Sequence, residues 1–555
     1  MTGPGPDWVG RGGIDRATIE FRVRVTASNN GPGGPSLATE PNGHAARHLL
    51  AGAFVLVLAA AYVTTQVAGL PQAMVVIVAG VIGVYMALNI GANDVANNVG
   101  PAVGSGALTM AGALAIAAVF ETMGALIAGG DVIGTISKEI IDPAAIPDAG
   151  SFVRLMLSAL LAAAIWINVA TYIGAPVSTT HSIVGGVLGA GLAAAGMNSV
   201  DWGVMGKIAA SWVISPVLGA AIAAAFLAAI KAGIVFREDK VAAAKRWLPV
   251  LVGIMGAAFT AYLLMKGLKR VWRPDGATIL ASSVAAFGLI YVMVRPLVSA
   301  AAKDMENTRE DISRLFTVPL ICAAALLSFA HGSNDVANAI GPLAAIVHTV
   351  GEGAITAKVT IPPWVMLIGA VGLAAGLILF GAKMVRRVGP EITEMDRLRA
   401  FTVALSSSIT VIMASAMALP VSSTHIALGA IFGVGFLREY LENEAGKVRA
   451  IRALFSDHRE PQLFDTGRSE MAWRRAVVAE LLKDESVELE AEHYAHLTER
   501  AETALKTWQR RKLVRRSLLR TIVMAWLVTV PTTALIAGLV YVAVSAVAFP
   551  GLADL

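Results

Sequence analysis

The stretch GANDVANNVGP at residues 91–101 places one aspartate, three asparagines and a Gly-Pro pair inside a long apolar run. It returns nearly unchanged as GSNDVANAIGP at residues 332–342, an offset of 241 positions. A second motif, PVSTTH at 176–181, recurs as PVSSTH at 420–425, an offset of 244 positions. Two motifs that recur in the same order at nearly the same spacing indicate an internal duplication.

A third, looser pair extends the duplication towards the end of the chain. SWVISP at 211–216 resembles AWLVTVP at 525–531, where the offset rises to about 315 positions. The second half therefore carries an insertion of roughly 70 residues. Within 438–516 the apolar runs stop and charged, helix-compatible residues dominate, which predicts a small soluble helical insertion. The strongly basic residues at its end predict that this insertion lies in the cytoplasm.

The composition is typical of a membrane protein. Hydrophobic residues make up 56% of the 555 positions and charged residues only 15%, whereas soluble domains are about one quarter charged. Several of the apolar stretches are short or interrupted by Gly and Pro. The sequence therefore predicts an all-α polytopic membrane protein with about 12 transmembrane helices, some of them broken or re-entrant. Thirteen apolar stretches underlie this prediction, near 48–67, 72–90, 107–129, 152–174, 177–195, 208–230, 247–265, 277–298, 315–330, 362–383, 398–419, 422–437 and 521–547.

Repeats and charge together predict six regions. The first 45 residues are rich in Gly, Pro and polar residues, which is typical of a flexible tail. Counting crossings with basic loops inside places the two NDVAN copies in opposite directions, so the two repeats are predicted to be inverted. The predicted regions are the tail at 1–45, transmembrane repeat 1 at 46–236, connecting transmembrane helices at 237–310, the first part of repeat 2 at 311–437, the insertion at 438–516, and the last helix of repeat 2 with the C-terminus at 517–555.

Several classes of function lack their signature in the sequence. No basic patch with interleaved aromatic residues indicates nucleic acid, and no Gly-Lys-Ser or Gly-Lys-Thr indicates ATP. His, Cys and acidic residues show no metal-ligand spacing, and a single cysteine, Cys322, excludes an internal disulfide. We therefore expect neither an enzyme nor a resident metal or cofactor.

The acidic motif predicts a cation site. A charged Asp near the centre of a transmembrane helix costs about 2.5–3.5 kcal/mol on insertion scales, so such acids usually face a polar cavity or an ion path. In each copy the spacing places one carboxylate and two amides on one helical face. Hard oxygen ligands of this kind suit Na⁺, a proton-linked carboxylate or a divalent cation. The candidate cation-coupling residues are Asn93, Asp94, Asn97, Asn334, Asp335 and Asn338.

The hydroxyl motif predicts an anion site. Pro176 and Pro420 are typical of a first helical turn, so the hydroxyls that follow are predicted to lie at helix starts. A helix start directs free N–H groups and partial positive charge at one spot, and two such starts meeting would bind an anion without Arg or Lys. Simple capping or helix–helix contact by Ser and Thr is the structural alternative. The candidate anion ligands are Ser178, Thr179, Thr180, Ser422, Ser423 and Thr424.

The two motifs constrain each other, because an oxyanion beside two carboxylates is repelled unless a cation or proton accompanies it. The combination predicts that the anion enters with Na⁺, with H⁺ or as a metal complex. His181 and His425 either belong to a proton path or orient neighbouring groups. Glu121 is either a coupling acid or a buried, hydrogen-bonded carboxyl. Asp131 and His331 carry less weight.

With these motifs in place, the chain resembles the inorganic phosphate transporter family, often called PiT. The family signature, a duplicated Gly-x-Asn-Asp-x-Ala-Asn block, appears as GANDVAN at 91–97 and GSNDVAN at 332–338, and the Pro-Val-Ser-x-Thr-His and Ser-Trp-x-x-Ser-Pro elements also match. The resemblance covers about 72–235, 310–437 and 517–547. It implies two inverted-topology halves with the substrate near the midplane, usually in a homodimer. The tail and the charged insertion lie outside the match.

The resemblance also implies roles for single residues. It assigns phosphate contacts to the six hydroxyl residues and cation and phosphate-proximal contacts to the six Asn and Asp residues named above. Glu121 matches a glutamate that the family places in the corresponding first-half helix. The leading hypothesis is a secondary symporter that takes up phosphate with Na⁺ or H⁺ across the cell membrane by alternating access. A symporter of sulfate or another tetrahedral oxyanion is the nearest alternative, and an anion channel or membrane sensor is a more distant one.

Overall fold

The computed structural model describes residues 42–70, 72–269, 271–355, 359–392, 395–455 and 516–547. The chain divides into Met1–Ala53 and a large compact unit, Phe54–Leu555. The first unit contributes to the described residues only the beginning of the first helix, and all later helices belong to the second unit. The rest of the predicted tail, and most of the predicted insertion, lie outside the described residues and stay predictions.

The described residues form α-helices joined by turns and by short 3-10 and π-helical segments, with one isolated β-bridge between Ile141 and Val200. The helix at the start of the predicted insertion continues from the hydroxyl motif without interruption. The helices are α1 (Asn42–Gln66), α2 (Ala73–Gly104), α3 (Met110–Ala128), α4 (Gly130–Gly134), α5 (Ala149–Ile173), α6 (Thr179–Ala195), α7 (Trp202–Ile230), α8 (Lys240–Tyr262), α9 (Gly276–Ala301), α10 (Arg309–Leu315), α11 (Thr317–Glu352), α12 (Pro363–Ile392), α13 (Arg397–Ala416), α14 (Ser423–Phe455) and α15 (Arg516–Ala546).

Eleven helices in the described part of the chain are long and apolar enough to cross a membrane. A twelfth apolar helix, α6, is shorter. Helices suit a bilayer because each one satisfies its backbone hydrogen bonds within its own segment. All thirteen apolar stretches in the sequence coincide with helices, which confirms the all-α multi-pass architecture. The inverted orientation of the two repeats stays a prediction.

The Gly-Pro pairs do not break the two helices that carry the acidic motifs. Helix α2 continues through Pro101 to Gly104, and α11 continues through Pro342 to Glu352. A proline inside a helix removes one N–H donor to the carbonyl four residues earlier, and neighbouring helices compensate for this loss in a membrane protein. The carbonyl groups that lose their helical donor belong to Asn97 and Asn338, two residues of the acidic motif. The chain breaks instead before the hydroxyl motifs, between α5 and α6 and between α13 and α14.

Each of these two breaks contains one residue in the left-handed conformation. Gly174 follows α5 with φ 75°, and Ala418 follows α13 with φ 56°. The two positions differ by 244, the same offset as the hydroxyl motifs. This conformation disfavours a residue with a Cβ by about 1–2 kcal/mol. Ala418 is therefore strained where Gly174 is not, and its carbonyl accepts a hydrogen bond of 3.0 Å from the Thr135 hydroxyl.

Helices of the two halves exchange neighbours. Helix α2 packs against α12 and α3 against α11, while α6 packs against α15 and α14 against α7. Glycines permit the closest approaches: a Cβ on Gly91 would lie 2.0 Å from the Leu373 carbonyl oxygen, and one on Gly332 would lie 2.1 Å from that of Glu121. The halves are thus interlocked, and Leu373 occupies in the second half the place that Glu121 occupies in the first.

The strained turn generates a prediction with a matched control. Ala418→Gly should raise the free energy of unfolding by about 1 kcal/mol, because glycine adopts positive φ without a Cβ clash. Gly174→Ala should lower it by a similar amount for the same reason. Thermal unfolding of both variants in detergent measures the effect. Shifts of the same sign in the two variants would contradict the assignment of strain to Ala418.

Candidate substrate and ion site

The two acidic motifs and the two hydroxyl motifs meet in one place. The acidic residues lie in the middle of α2 and α11, and the hydroxyl residues lie at the starts of α6 and α14. All thirteen candidate residues named from the sequence, including Glu121 on α3, are at most 7% exposed. The tertiary structure therefore brings every candidate into one enclosed region. Their roles in binding stay predictions.

The helix starts are capped by the first hydroxyl of each motif. The Ser178 Oγ accepts a hydrogen bond from the His181 N–H at 3.1 Å, and the Ser422 Oγ accepts one from the His425 N–H at 3.2 Å. Of the hydroxyls that follow the caps, Thr179, Ser423 and Thr424 donate to the acids. The expected first-turn position of the prolines is wrong: Pro176 lies two residues before the cap at Ser178, because the first helical residue is Thr179.

The Asp94 carboxylate joins the two halves. One oxygen accepts a hydrogen bond of 2.9 Å from Thr179 of its own half, and the other accepts one of 3.0 Å from Thr424 of the second half. The Asn97 amide donates to the same Thr424 hydroxyl at 2.9 Å. A buried carboxylate is tolerable when it is hydrogen-bonded, so this acid and both helix starts stabilise one another.

The second acid repeats much of this arrangement. The Asp335 carboxylate accepts a hydrogen bond of 2.8 Å from Ser423. The Asn338 amide donates across to the first half, to Thr179 at 3.2 Å and to Thr180 at 3.1 Å. Each acidic motif therefore bonds the hydroxyl motif of the other half through its second asparagine. Thr180 departs from the repeat, because its hydroxyl donates to a backbone carbonyl, that of Val421, at 2.9 Å.

The first asparagine of each motif holds the chain break that precedes a helix start. With its oxygen facing the Thr171 hydroxyl at 3.0 Å, the Asn93 amide nitrogen donates to the Val177 carbonyl at 3.2 Å. With its oxygen facing Ser415 at 3.0 Å, Asn334 donates in the same way to Val421 at 3.1 Å. These amides hold the non-helical segments that precede α6 and α14.

His331 lies at the centre of the acids. Its Nε2 is 2.9 Å from Asp335 and 3.7 Å from Asp94, and its Nδ1 is 3.2 Å from Glu121. Glu121 also accepts a hydrogen bond of 2.7 Å from Asn98. Ligand atoms of Asp94, His331 and Asp335 lie within 4.8 Å of one another, a spacing that could hold a metal ion. Three carboxyl groups thus surround one imidazole, so the region has an excess of negative charge when the acids are ionised.

Sequence reasoning gave His331 little weight and missed Asn98, Thr171 and Ser415. A signal for the last pair was available, because Thr171 and Ser415 are hydroxyl residues at the same 244-residue offset as the hydroxyl motifs. For His331 the signal was its departure from the repeat, since the first half has Ile90 at that position. The remaining lesser candidate, Asp131, lies in the short helix α4, which packs against α11.

Chemically, the region combines two kinds of ligand. Carboxylate, amide and backbone carbonyl oxygens are hard donors suited to Na⁺ or another hard cation. Hydroxyls and N–H groups at two helix starts suit an oxyanion. Direct hydrogen bonds between the hydroxyls and the carboxylates place the two ligand sets within one hydrogen bond of each other.

The amides that cross between the halves generate a prediction. Asn97→Ala and Asn338→Ala should each lower the free energy of unfolding by about 1 kcal/mol, because each leaves buried hydroxyls without a donor. Thr64→Ala is the control, since this exposed hydroxyl bonds only the local Ala60 carbonyl among the described residues, and it should shift stability by less than about 0.5 kcal/mol. Thermal melts in lipid nanodiscs without phosphate measure both. Asparagine variants indistinguishable from the control would show that the amides do not join the halves.

Comparison with known proteins identifies the family. The model described as "Phosphate transporter family" matches residues 90–537. A protein named "Putative phosphate permease" from Helicobacter pylori (strain J99) is 47% identical over 486 residues, covering 85% of this chain and 90% of the relative. A relative with the same description from Pyrococcus abyssi is 38% identical over 358 residues, covering 64% of this chain and 88% of its own length.

A solved structure titled "The sodium-dependent phosphate transporter" matches with a TM-score of 0.69 and 30% identity, covering 85% of this chain and 100% of that one. Sequence and fold therefore agree over most of the chain. The duplicated acidic motif and both hydroxyl motifs all lie within the matched region. The chain belongs to the phosphate transporter family, a family of multi-pass membrane transporters and not of enzymes.

Proposed function

We propose that this chain is a secondary transporter that takes up inorganic phosphate together with Na⁺ across the cell membrane by alternating access. The observation that carries the proposal is the shared network at Asp94, which bonds Thr179 and Thr424 from the two helix starts. Anion ligands and cation ligands are thereby neighbours in one buried region. The predicted homodimer and the cytoplasmic position of the insertion belong to the same proposal.

Phosphate binds at the two helix starts. Four hydroxyls beyond the caps (Thr179, Thr180, Ser423 and Thr424) face the acidic motifs or the opposite chain break. First-turn N–H groups without helical partners and the positive ends of two helix dipoles add attraction for an anion. Discontinuous helices whose N-terminal ends point at an anionic group are a recurrent device of secondary transporters. The capping hydroxyls of Ser178 and Ser422 can still donate to phosphate.

The coupling cation binds between the acids. Asp94, Asp335 and Glu121 bring three carboxyl groups to the region against one imidazole, His331. A phosphate anion entering beside them is repelled unless cations enter as well, which is the physical basis of coupling. The carbonyls of Asn97 and Asn338, freed by the prolines, add hard oxygen donors. Sodium is favoured over the proton because the structural relative is titled sodium-dependent.

Enclosure of the site favours a carrier over a channel. No candidate residue is more than 7% exposed, so these side chains do not open onto solvent in this structure. A channel needs a continuous conducting path, whereas a carrier passes through a closed state between its two open ones. The exchanged packing of the two halves supplies two similar sets of helices that can move against each other.

Uptake in proteoliposomes tests the proposal. The purified chain should accumulate labelled phosphate when an inward Na⁺ gradient is imposed at equal pH, and an equal K⁺ gradient should drive none. Uptake driven by a proton gradient without Na⁺ would assign H⁺ as the coupling ion. Excess unlabelled sulfate should leave uptake unchanged, and strong competition would favour the sulfate alternative. Phosphate flux that follows membrane potential without either cation would contradict symport.

The two acids are the residues to change first. Asp94→Asn and Asp335→Asn should each lower the initial rate of Na⁺-driven uptake by at least about tenfold, since each removes a charged cation ligand while keeping the side-chain volume. Asp304→Asn, at an exposed loop position, is the matched control and should transport normally. Size-exclusion profiles confirm that each variant is folded. Full coupled uptake in both site variants would remove these acids from the mechanism.

A further inference from the structure

Four aromatic rings form a continuous column behind the two helix starts. The Trp212 and His181 ring centroids are 3.8 Å apart, those of His181 and His425 are 4.3 Å apart, and those of His425 and Trp526 are 3.6 Å apart. The column follows the internal duplication, because each histidine ends a hydroxyl motif and each tryptophan belongs to the looser third pair of repeats. We name these four residues the ring column.

The rings of the column meet by their faces and edges and not by hydrogen bonds. All six ring nitrogens are shielded from solvent, and none has a hydrogen-bond partner among the described residues. The side chains of His181 and His425 are 4% and 0% exposed. A proton path needs each nitrogen within hydrogen-bond reach of a donor or acceptor, and the column provides none. Offset and edge-on ring contacts stabilise such an arrangement without polar partners.

The column is also the contact between two helix pairs. Within each pair the backbones touch at a glycine: a Cβ on Gly189 of α6 would lie 2.0 Å from the Ala534 carbonyl oxygen of α15, and one on Gly433 of α14 would lie 2.2 Å from that of Ala220 on α7. These contacts hold α6 to α15 and α14 to α7. Each of the three ring contacts, by contrast, joins a residue of one pair to a residue of the other.

The position of each histidine ring is linked to the position of the hydroxyl residues that precede it in the chain. His181 follows Thr180 without an intervening residue, and its N–H donates the capping bond to Ser178. His425 follows Thr424, and its N–H donates to the capping Ser422 Oγ in the same way. A displacement of either ring relative to the other therefore displaces the hydroxyls that face the acids.

We propose that Trp212, His181, His425 and Trp526 are positioning residues of the phosphate site, whose packed rings brace the two helix pairs and set the spacing of the hydroxyl ligands, with both histidines acting as rings and not as proton carriers. This inference rests on the proposed function. It identifies the separation between the helix starts as a determinant of affinity and of discrimination between oxyanions.

The test separates ring packing from nitrogen chemistry in the full-length chain in proteoliposomes. His181→Phe and His425→Phe keep a ring and remove the nitrogens, so the KM for phosphate should stay within about twofold of the wild-type value and the pH profile of uptake should be unchanged. Trp212→Leu and Trp526→Leu remove a ring, so KM should rise by about tenfold or more and sulfate should begin to compete, while the maximal rate changes less. Trp212→Phe and Trp526→Phe should restore most of the affinity.

A tryptophan outside the ring column provides the control, and three results would contradict one of the two proposals. Trp202→Leu changes an exposed tryptophan on α7, outside the column, and should leave KM unaltered. A flattened pH profile or lost uptake in a folded phenylalanine variant would overturn the proposal by showing that the nitrogens act. An unaltered KM and sulfate exclusion in both leucine variants would also overturn it. Should a leucine variant fail to fold, as judged by size exclusion, the phenylalanine variants still decide. Absence of phosphate uptake by the wild type would instead refute the proposed function.

Discussion

A buried carboxylate shared between two halves of the chain is the constraint on which the structure depends. Asp94 is fully buried, so its charge is stable only if hydrogen-bond donors surround it. Those donors are hydroxyls from two different helix starts, Thr179 and Thr424. Satisfying one acid therefore holds both helix starts together. In the proposed mechanism the same acid repels an anion bound at those starts, and the coupling cation offsets this repulsion.

Most residues of the candidate site come in duplicated pairs, and the unpaired residues make its two sides chemically different. The acidic and hydroxyl motifs recur with their hydrogen bonds, so much of the network is symmetric. The symmetry fails at two positions. His331 of the second half corresponds to Ile90 of the first, and Glu121 of the first half corresponds to Leu373 of the second. The site therefore contains one imidazole and one carboxyl group that have no counterpart in the other half. The imidazole that contacts all three acids and one of the three carboxyl groups come from these departures, whereas Asp94 and Asp335 belong to the repeat.

The hydroxyl motif has two faces with different chemistry. Most of its hydroxyls bond acids or amides, while the histidine that ends the motif packs among the rings of the ring column. Glycine contacts hold the helices in pairs beside these rings. Polar bonds on one side and ring contacts on the other thus meet at the same helix start.

The sequence alone determined the class of the protein and named most of the residues that meet in the candidate site. Long apolar runs in a bilayer satisfy their backbone hydrogen bonds as helices. A repeated Asn-Asp-Val-Ala-Asn block inside such helices indicates a polar cavity or an ion path. The spacing could not show that Pro101 and Pro342 continue their helices, because that outcome depends on packing by neighbours. Nor could it show that His331 bridges three acids or that His181 stacks on Trp212, since these contacts join helices far apart in the chain. Only the tertiary structure, by exchanging neighbours between the halves, decided which buried polar groups meet.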